Sequence, residues 1–188
     1  MDSSFRLGRI AGIEVGIHYT WLLAVGFITW WLAGGIFPAD YPRWSQQTYW
    51  TVAVIATLLL FLCVLLHELS HCVVARARGM SVAGITLFIF GGVSNIRGEA
   101  EKAGDEFWMA IVGPLTSLAL AGVAWLAWLA LGGGSSPLAA VLRYMANVNL
   151  LLALFNLIPG FPLDGGRVLR SVLWTITGDP RRATWVAT

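Results

Sequence analysis

The segment LLHELSHCVV, residues 65 to 74, contains three side chains whose types and spacing could form a metal site within an apolar stretch. His67 and His71 are four positions apart, so on a helix their imidazoles lie on one face, one turn apart. Both can then bind one zinc ion at about 2.0 to 2.1 Å. Glu68 lies beside them, and its carboxylate can take a proton from water at the metal and pass it to a leaving amine.

The same three residues also have a purely structural interpretation. Buried histidines can be satisfied by neighbouring helices, with Glu68 as their ion-pair partner. However, an ionised carboxylate deep in a bilayer costs roughly 2.5 kcal/mol or more, and such a residue usually marks function. Because the flanking sequence is apolar over several helical turns, we favour the metal site.

A third metal ligand is expected outside this segment, because a catalytic zinc usually has three protein ligands and one open position for water. Asp164 is the candidate, since it is the only acidic residue between Glu106 and Asp179. It follows the sequence FNLIPGFPL, in which two prolines exclude a regular helix. The alternative role of Asp164 is to cap the N-terminus of a helix that begins at Gly165.

The elements that must hold these residues are apolar helices. Hydrophobic residues make up 57% of the 188 positions and charged residues only 12%, which is more apolar than a water-soluble domain of this size requires. A membrane-spanning helix takes about 20 residues. Four predominantly apolar runs are long enough, and they cover residues 15 to 37, 49 to 75, 107 to 131 and 139 to 159. The sequence therefore predicts an all-α polytopic membrane protein.

Basic residues are distributed asymmetrically around these four runs. Only Arg43 and Arg143 lie on or near one side. The others lie before the first run, between the second and third, or after the fourth: Arg6, Arg9, Arg76, Arg78, Arg97, Lys102, Arg167, Arg170, Arg181 and Arg182. The positive-inside rule predicts that the N-terminus, the segment 76 to 106 and the C-terminus are cytoplasmic. Because the basic residues form no run, the net charge of +2 indicates no nucleic-acid partner.

Residues 84 to 97 predict a small β-hairpin between the second and third helices. The β-prone sequences GITLFIF and VSNIRG are joined by Gly91 and Gly92. Lipid offers no hydrogen bonds, so the edges of such a hairpin must be covered or must pair with another strand. We expect Phe90, Gly91 and Gly92 to contact an extended substrate segment that pairs there.

Two features of the third apolar run are interpreted as packing features. Gly113, Ser117 and Ala121 form a row of small residues that lets this helix approach a neighbour closely. Pro114 is expected to kink or begin the helix and to have no catalytic role.

Three motifs together resemble the site-2 protease family of intramembrane zinc metalloproteases. They are HELSH within one apolar run, the Gly-Pro of IVGPLTS in the next, and NLIPGFPLDGG at the end of the last. The resemblance implies that His67, His71 and Asp164 hold zinc and that Glu68 is the general base and acid. It also implies that Asn156 lies near the substrate backbone or the developing oxyanion.

The resemblance also implies partners and a location. Members of this family cut transmembrane segments of membrane-anchored regulators, often after another protease has removed the outer part. We therefore expect a multi-pass protein of a prokaryotic plasma membrane, with a transmembrane protein as substrate and the lipid bilayer as partner. Residues 1 to 188 are expected to be a single metalloprotease core that lacks further C-terminal spans. The sequence indicates neither a regulatory partner nor an oligomeric state.

Two other functions remain open from the sequence. A membrane pseudoprotease would keep zinc without cleaving, although the intact Glu68 argues against it. A metal transporter or sensor would use His67, His71 and Asp164 to line a path. Polar residues along several spans would be expected for a transporter, whereas here they gather at one depth.

Overall fold

The computed structural model of the protein describes residues 4–98 and 100–187. Residues 1–3, Glu99 and Thr188 of the predicted 1–188 unit lie outside this description. Most of the described chain is helical, and a four-stranded sheet packs against the longest helix. The helices are α1 (Thr20–Trp31), α2 (Phe37–Asp40), α3 (Gln46–Ala77), α4 (Ala103–Ala130), α5 (Pro137–Asn156), α6 (Asp164–Thr177) and α7 (Pro180–Ala187).

Four helical stretches are long and apolar enough to cross a membrane. They are α3, α4, α5 and the stretch Thr20–Asp40, in which a π-helical turn at Leu32–Ile36 joins α1 to α2. The four runs predicted from the sequence are therefore confirmed as helices. The predicted and observed boundaries differ most for the first run. Its helix begins at Thr20 rather than at residue 15, because residues 13–18 form a strand.

Local sequence signals set the ends of these helices. The hydroxyl of Ser45 caps α3 by accepting a hydrogen bond from the backbone N–H of Thr48 at 3.1 Å. Ser136 caps α5 in the same way, and Gly178 ends α6 in the left-handed conformation, with φ at 68°. Pro114 lies well inside α4, so the interpretation that it begins this helix is wrong.

The sheet contains the strands β1 (Ser4–Ile10), β2 (Ile13–His18), β3 (Ser81–Phe88) and β4 (Gly91–Arg97), in that spatial order. The β1–β2 and β3–β4 pairs are antiparallel, whereas β2 and β3 are parallel. The all-α description is therefore incomplete, and β1 and β2 were not predicted. Strand β2 is short and runs directly into the first apolar run, so its local pattern merged with that run, although β2 pairs locally with β1 as well as with the distant β3.

The apolar core positions the sheet over the part of α3 that contains the histidines. Ile85 and Leu87 of β3, together with Ile13 and Val15, are buried in one cluster with Leu65 and Cys72 of α3. A second cluster joins α3 to the first helical stretch and to α5. Because β3 is anchored on α3, its hairpin partner β4 is held alongside the α3 turn that contains Glu68.

Candidate metal centre

The two histidines of α3 and an aspartate of α6 bring three ligand atoms together. The Nε2 atoms of His67 and His71 lie 3.2 Å apart, and each lies 3.2 Å from Oδ2 of Asp164. Both histidines are buried, with relative exposures of 3% and 6%. Within the described residues, these three side chains form the group that could hold a metal ion.

The spacing of these atoms fits a tetrahedral metal ion. Ligands at about 2.0 to 2.1 Å from zinc occupy tetrahedron corners that are roughly 3.3 Å apart. The observed triangle has 3.2 Å along every edge. The protein would thus supply three ligands to a bound zinc ion, which is the number that catalytic zinc sites use when they keep one position for water or substrate.

The other ring nitrogen of each histidine is held by α4. Nδ1 of His71 lies 2.6 Å from the carbonyl oxygen of Met109, which can only accept a hydrogen bond. Nδ1 of His71 therefore carries the proton, and in the neutral ring the lone pair is on Nε2, where a metal needs it. Nδ1 of His67 lies 2.9 Å from the hydroxyl oxygen of Ser117. Such outer contacts fix the orientation of metal-binding imidazoles.

Gly113 leaves space for the histidine rings against α4. A Cβ atom at this position would lie 2.1 Å from Nε2 of His71 and 2.7 Å from Nε2 of His67. Gly113 and Ser117 of the row of small residues thus face the candidate ligands, in addition to the general helix packing that the sequence suggested. Met109, Gly113 and Ser117 recur every four residues, which is the signal that could have assigned them one face of α4.

Asp164 is the first residue of α6 and makes no capping hydrogen bond to the backbone. The N-cap interpretation is therefore wrong, because Leu163 occupies the cap position and the Asp164 carboxylate is directed at the histidines. Burial would raise the pKa of this carboxyl group, but its contacts with His67 and His71 lower the pKa to about 2. The carboxylate is thus ionised at neutral pH, as a metal ligand must be.

Gly165 and a buried ion pair hold α6 in place. A Cβ atom at Gly165 would lie 2.3 Å from the carbonyl oxygen of Leu157, so only glycine allows this approach to the preceding turn. Farther along α6, Arg170 donates to the carboxylate of Glu106 on α4 at 3.0 Å, and that carboxylate is 1% exposed. Sequence reasoning missed this pair because the two residues are 64 positions apart.

Glu68 lies next to the metal-binding triangle without being part of it. Its Oε2 accepts a hydrogen bond from the hydroxyl of Ser94 on β4 at 2.5 Å. Glu68 and the three candidate ligands line one cavity of about 310 Å³. The walls of this cavity also include residues of β4, the end of α5 and the start of α6.

The remaining predicted residues lie at different distances from this cavity. Asn156 lines it, but the amide nitrogen donates to the carbonyl of Leu152 at 2.9 Å. Gly92 also lines the cavity, whereas Phe90 lies at the β3–β4 turn, is 87% exposed and is not part of the cavity wall. Gly91 precedes Gly92 at the start of β4.

The unpaired edge of the hairpin belongs to β4. Strand β3 pairs with β2 on one side and β4 on the other, so residues 85–87 have no free edge. Strand β4 is last in the sheet order, and within the described residues no strand pairs with its outer side. The expectation of a pairing edge therefore applies to residues 91–97 and not to the first half of the hairpin.

Comparison with known proteins identifies relatives over nearly the whole chain. Residues 55–136 and 133–187 match Peptidase family M50. Rip3 of Mycobacterium tuberculosis is 42% identical over 97% of the chain and 47% of its own length. Zinc metalloprotease MJ0392 of Methanocaldococcus jannaschii is 35% identical over 92% of the chain and 46% of its own length. The chain thus spans about half the length of these relatives.

A solved structure has the same fold. The structure of the site-2 protease from Methanocaldococcus jannaschii matches with a TM-score of 0.65 and 30% sequence identity. The match covers 98% of the present chain and 77% of that protein. At 98% coverage of the chain, the similarity includes the sheet, the apolar helices and the two helices, α3 and α6, that contribute the candidate ligands.

Proposed function

Because the chain belongs to Peptidase family M50, we propose that it is an intramembrane zinc metalloprotease. It hydrolyses peptide bonds in or near transmembrane segments of membrane-anchored proteins. The observation that carries this proposal is the 3.2 Å triangle of His67, His71 and Asp164 with Glu68 beside it in one cavity. Ligand types, ligand spacing and an adjacent base together fit metal-assisted hydrolysis.

We propose that the four apolar stretches cross the plasma membrane of a prokaryotic cell, with the N-terminus in the cytoplasm. Large apolar side chains on their outer surfaces support this, including Phe27, Leu126 and Leu151, each more than 60% exposed. Water would not favour such a surface, whereas lipid does. His71 lies six residues before the end of α3, about 9 Å along the axis, so the site is within reach of cytoplasmic water.

His67, His71 and Asp164 would hold the zinc ion, and Glu68 would transfer protons. Zinc supplies Lewis acidity, which polarises a carbonyl group and makes water a stronger acid. Glu68 accepts the proton of the attacking water and then gives it to the nitrogen of the leaving amine. Asn156 is positioned at the cavity wall to donate to the oxyanion, provided that its amide turns away from Leu152.

Strand β4 is proposed to bind the substrate in extended form. A peptide bond within a helix has its carbonyl already hydrogen-bonded, so the substrate must unwind before it is cut. Pairing with the free edge of β4 would replace the lost helical hydrogen bonds. Gly92 borders the cavity and Gly91 precedes it, so both lie where such a segment would pass, while Phe90 would contact it at the turn.

We propose that residues 1 to 188 act as a single membrane-embedded metalloprotease core. The candidate ligands come from α3 and α6, and their supporting groups come from α4. The base is contacted by β4. The proposed site therefore needs α3, α4, α6 and β4 together.

The test is a comparison of zinc content and cleavage in purified protein reconstituted into liposomes with a single-span substrate. Wild type should bind one zinc ion and cut the substrate. Glu68→Gln should keep the zinc but lose roughly 10²- to 10⁴-fold in rate, because proton transfer depends on it. Asp164→Ala should lose both zinc and activity. Zinc binding by wild type without cleavage would favour a pseudoprotease or sensor, and zinc flux across the liposome would favour a transporter.

A further inference from the structure

We infer that Ser94 is a positioning residue for Glu68 and that it couples the edge strand β4 to the catalytic base. The inference rests on the proposed function, because it concerns the orientation of the proposed base. Ser94 is not proposed to contact the three candidate metal ligands, because the Ser94 hydroxyl is directed at the Glu68 side chain.

The contact between these residues is short and involves a charge. The hydroxyl of Ser94 donates to Oε2 of Glu68 at 2.5 Å. The backbone oxygen of Glu68 lies farther from the same hydroxyl, at 3.3 Å. A hydroxyl has one proton to donate, and hydrogen bonds to a carboxylate are shorter and stronger than those to a neutral carbonyl. The Ser94 hydroxyl therefore donates its proton to the Glu68 carboxylate and not to the Glu68 backbone oxygen.

The strand geometry directs Ser94 toward α3. Side chains alternate along a strand, and in β4 positions 92, 94 and 96 are less exposed than 93, 95 and 97. At position 92 the strand comes so close that a Cβ atom would lie 2.6 Å from Cγ of Glu68. Two successive inward positions of β4 thus contact the same glutamate.

The register of the hairpin holds this arrangement. Ser94 pairs with Ile85 and Gly92 pairs with Leu87 across the β3–β4 ladder. Both of these β3 residues are buried against α3. A slip of β4 by one residue would turn Ser94 away from Glu68. The burial of Ile85 and Leu87 against α3 therefore sets the position of the Ser94 hydroxyl on the edge strand β4.

The consequence for catalysis is orientation. A glutamate side chain has several rotatable bonds, and a free carboxylate would sample many directions. With Oε2 held by Ser94, Oε1 is the oxygen that remains available to take a proton from water. Because Ser94 is on the strand proposed to pair with the substrate, binding of the substrate would restrain the same strand that orients the base.

The experiment compares Ser94→Ala with Ser94→Thr, which keeps a hydroxyl, in the reconstituted full chain. Ser81→Ala is the matched control, because Ser81 is on the same hairpin and its hydroxyl contacts only a backbone carbonyl, that of Arg97. Ser94→Ala should lower kcat about 10- to 100-fold, the effect of losing one hydrogen bond to a charged group. KM and zinc content should stay unchanged, Ser94→Thr should recover most of kcat, and Ser81→Ala should match wild type.

Three results would overturn the inference. One is a kcat for Ser94→Ala within twofold of wild type. Another is a loss that Ser94→Thr does not recover. The third is a loss accompanied by lower zinc content or lower thermal stability, which would indicate a merely structural role. A crystal structure of Ser94→Ala provides a second readout, since the Glu68 carboxylate should leave its wild-type orientation. If zinc-loaded wild type cuts no substrate, the proposed function itself fails and the inference fails with it.

Discussion

The α4 side and the β4 side of the cavity hold the proposed catalytic groups in different ways. On the α4 side, the histidine rings are fixed by a main-chain carbonyl, a buried hydroxyl and a glycine that leaves no spare room. On the β4 side, one hydroxyl from an edge strand holds the Glu68 carboxylate next to an open cavity. The candidate metal ligands are thus held by close helix packing, whereas the proposed base, Glu68, lies at the open cavity.

This difference predicts two classes of variant. Substitutions on the α4 side should change zinc affinity, and activity should fall as a result. Substitutions on the β4 side should change cleavage and leave zinc in place. Zinc content and cleavage are measured in parallel for each variant. An α4 variant that keeps its zinc affinity, or a β4 variant that loses zinc, would contradict this difference between the two sides.

The largest effect is expected for Gly113→Ala. The new Cβ atom would overlap Nε2 of His71, so the ring must leave the triangle. Zinc affinity should fall by roughly 100-fold or more, with activity falling in parallel. Gly122→Ala on the same helix is the control, because nothing lies within 4 Å of the added carbon. Full zinc occupancy in Gly113→Ala would contradict the packing argument.

A smaller loss of zinc is expected for Ser117→Ala. This change removes the partner of Nδ1 of His67 and leaves that nitrogen buried. Loss of such an outer contact typically lowers metal affinity about 10- to 100-fold. Thr116→Ala is the neighbouring control, since the Thr116 hydroxyl bonds only to its own helix, at Val112. Zinc titration of both variants measures the difference, and equal affinities would refute it.

On the β4 side, proline should weaken cleavage without releasing zinc. Val93 and Asn95 have their N–H groups on one side of the strand, and Ile96 has its N–H on the other. Proline is placed at each of these three positions in turn. At a position whose N–H faces the free edge, proline removes one hydrogen-bond donor to the substrate, which is worth about 1 kcal/mol or roughly fivefold in kcat/KM. Proline at a position whose N–H faces β3 should instead disturb the β3–β4 ladder. If all of these variants cut the substrate normally, β4 has no substrate role.

The smallest effect is expected for Phe90→Ala at the hairpin turn. An exposed aromatic ring that is partly covered by substrate contributes about 1 kcal/mol, so KM should rise by roughly fivefold at most. Zinc content and kcat should match wild type. Phe5→Ala is the control, because Phe5 is an exposed aromatic residue on the opposite edge strand β1. A kcat defect in Phe90→Ala would argue against this role.

The sequence predicted those parts of the site that depend on local spacing. His67 and His71 follow from helical periodicity, and Asp164 follows from being the sole acid in a long apolar region. The structure brings all three together within one triangle. The four apolar helices were predictable for a similar reason, since span length is a property of continuous sequence.

The supporting groups could not be predicted because they depend on tertiary contacts. A backbone carbonyl such as that of Met109 leaves no trace in the residue type, and the Ser94 contact with Glu68 depends on strand register. Strands β1 and β2 form a local hairpin but were missed, because β2 is short and continues directly into the first apolar helix, and its buried position depends on pairing with the distant strand β3. The pairing of Glu106 with Arg170 likewise crosses two apolar helices.

The distance between the candidate ligands along the chain has a consequence for biosynthesis. Asp164 follows His67 by 97 residues, with two apolar helices in between. At about 5 to 20 residues per second, the ribosome needs roughly 5 to 20 s to add the last ligand after the first. The nascent chain therefore cannot complete the proposed metal triangle while its first apolar helices are being made. If the proposed function holds, the order of synthesis would keep the chain inactive until Asp164 has been added.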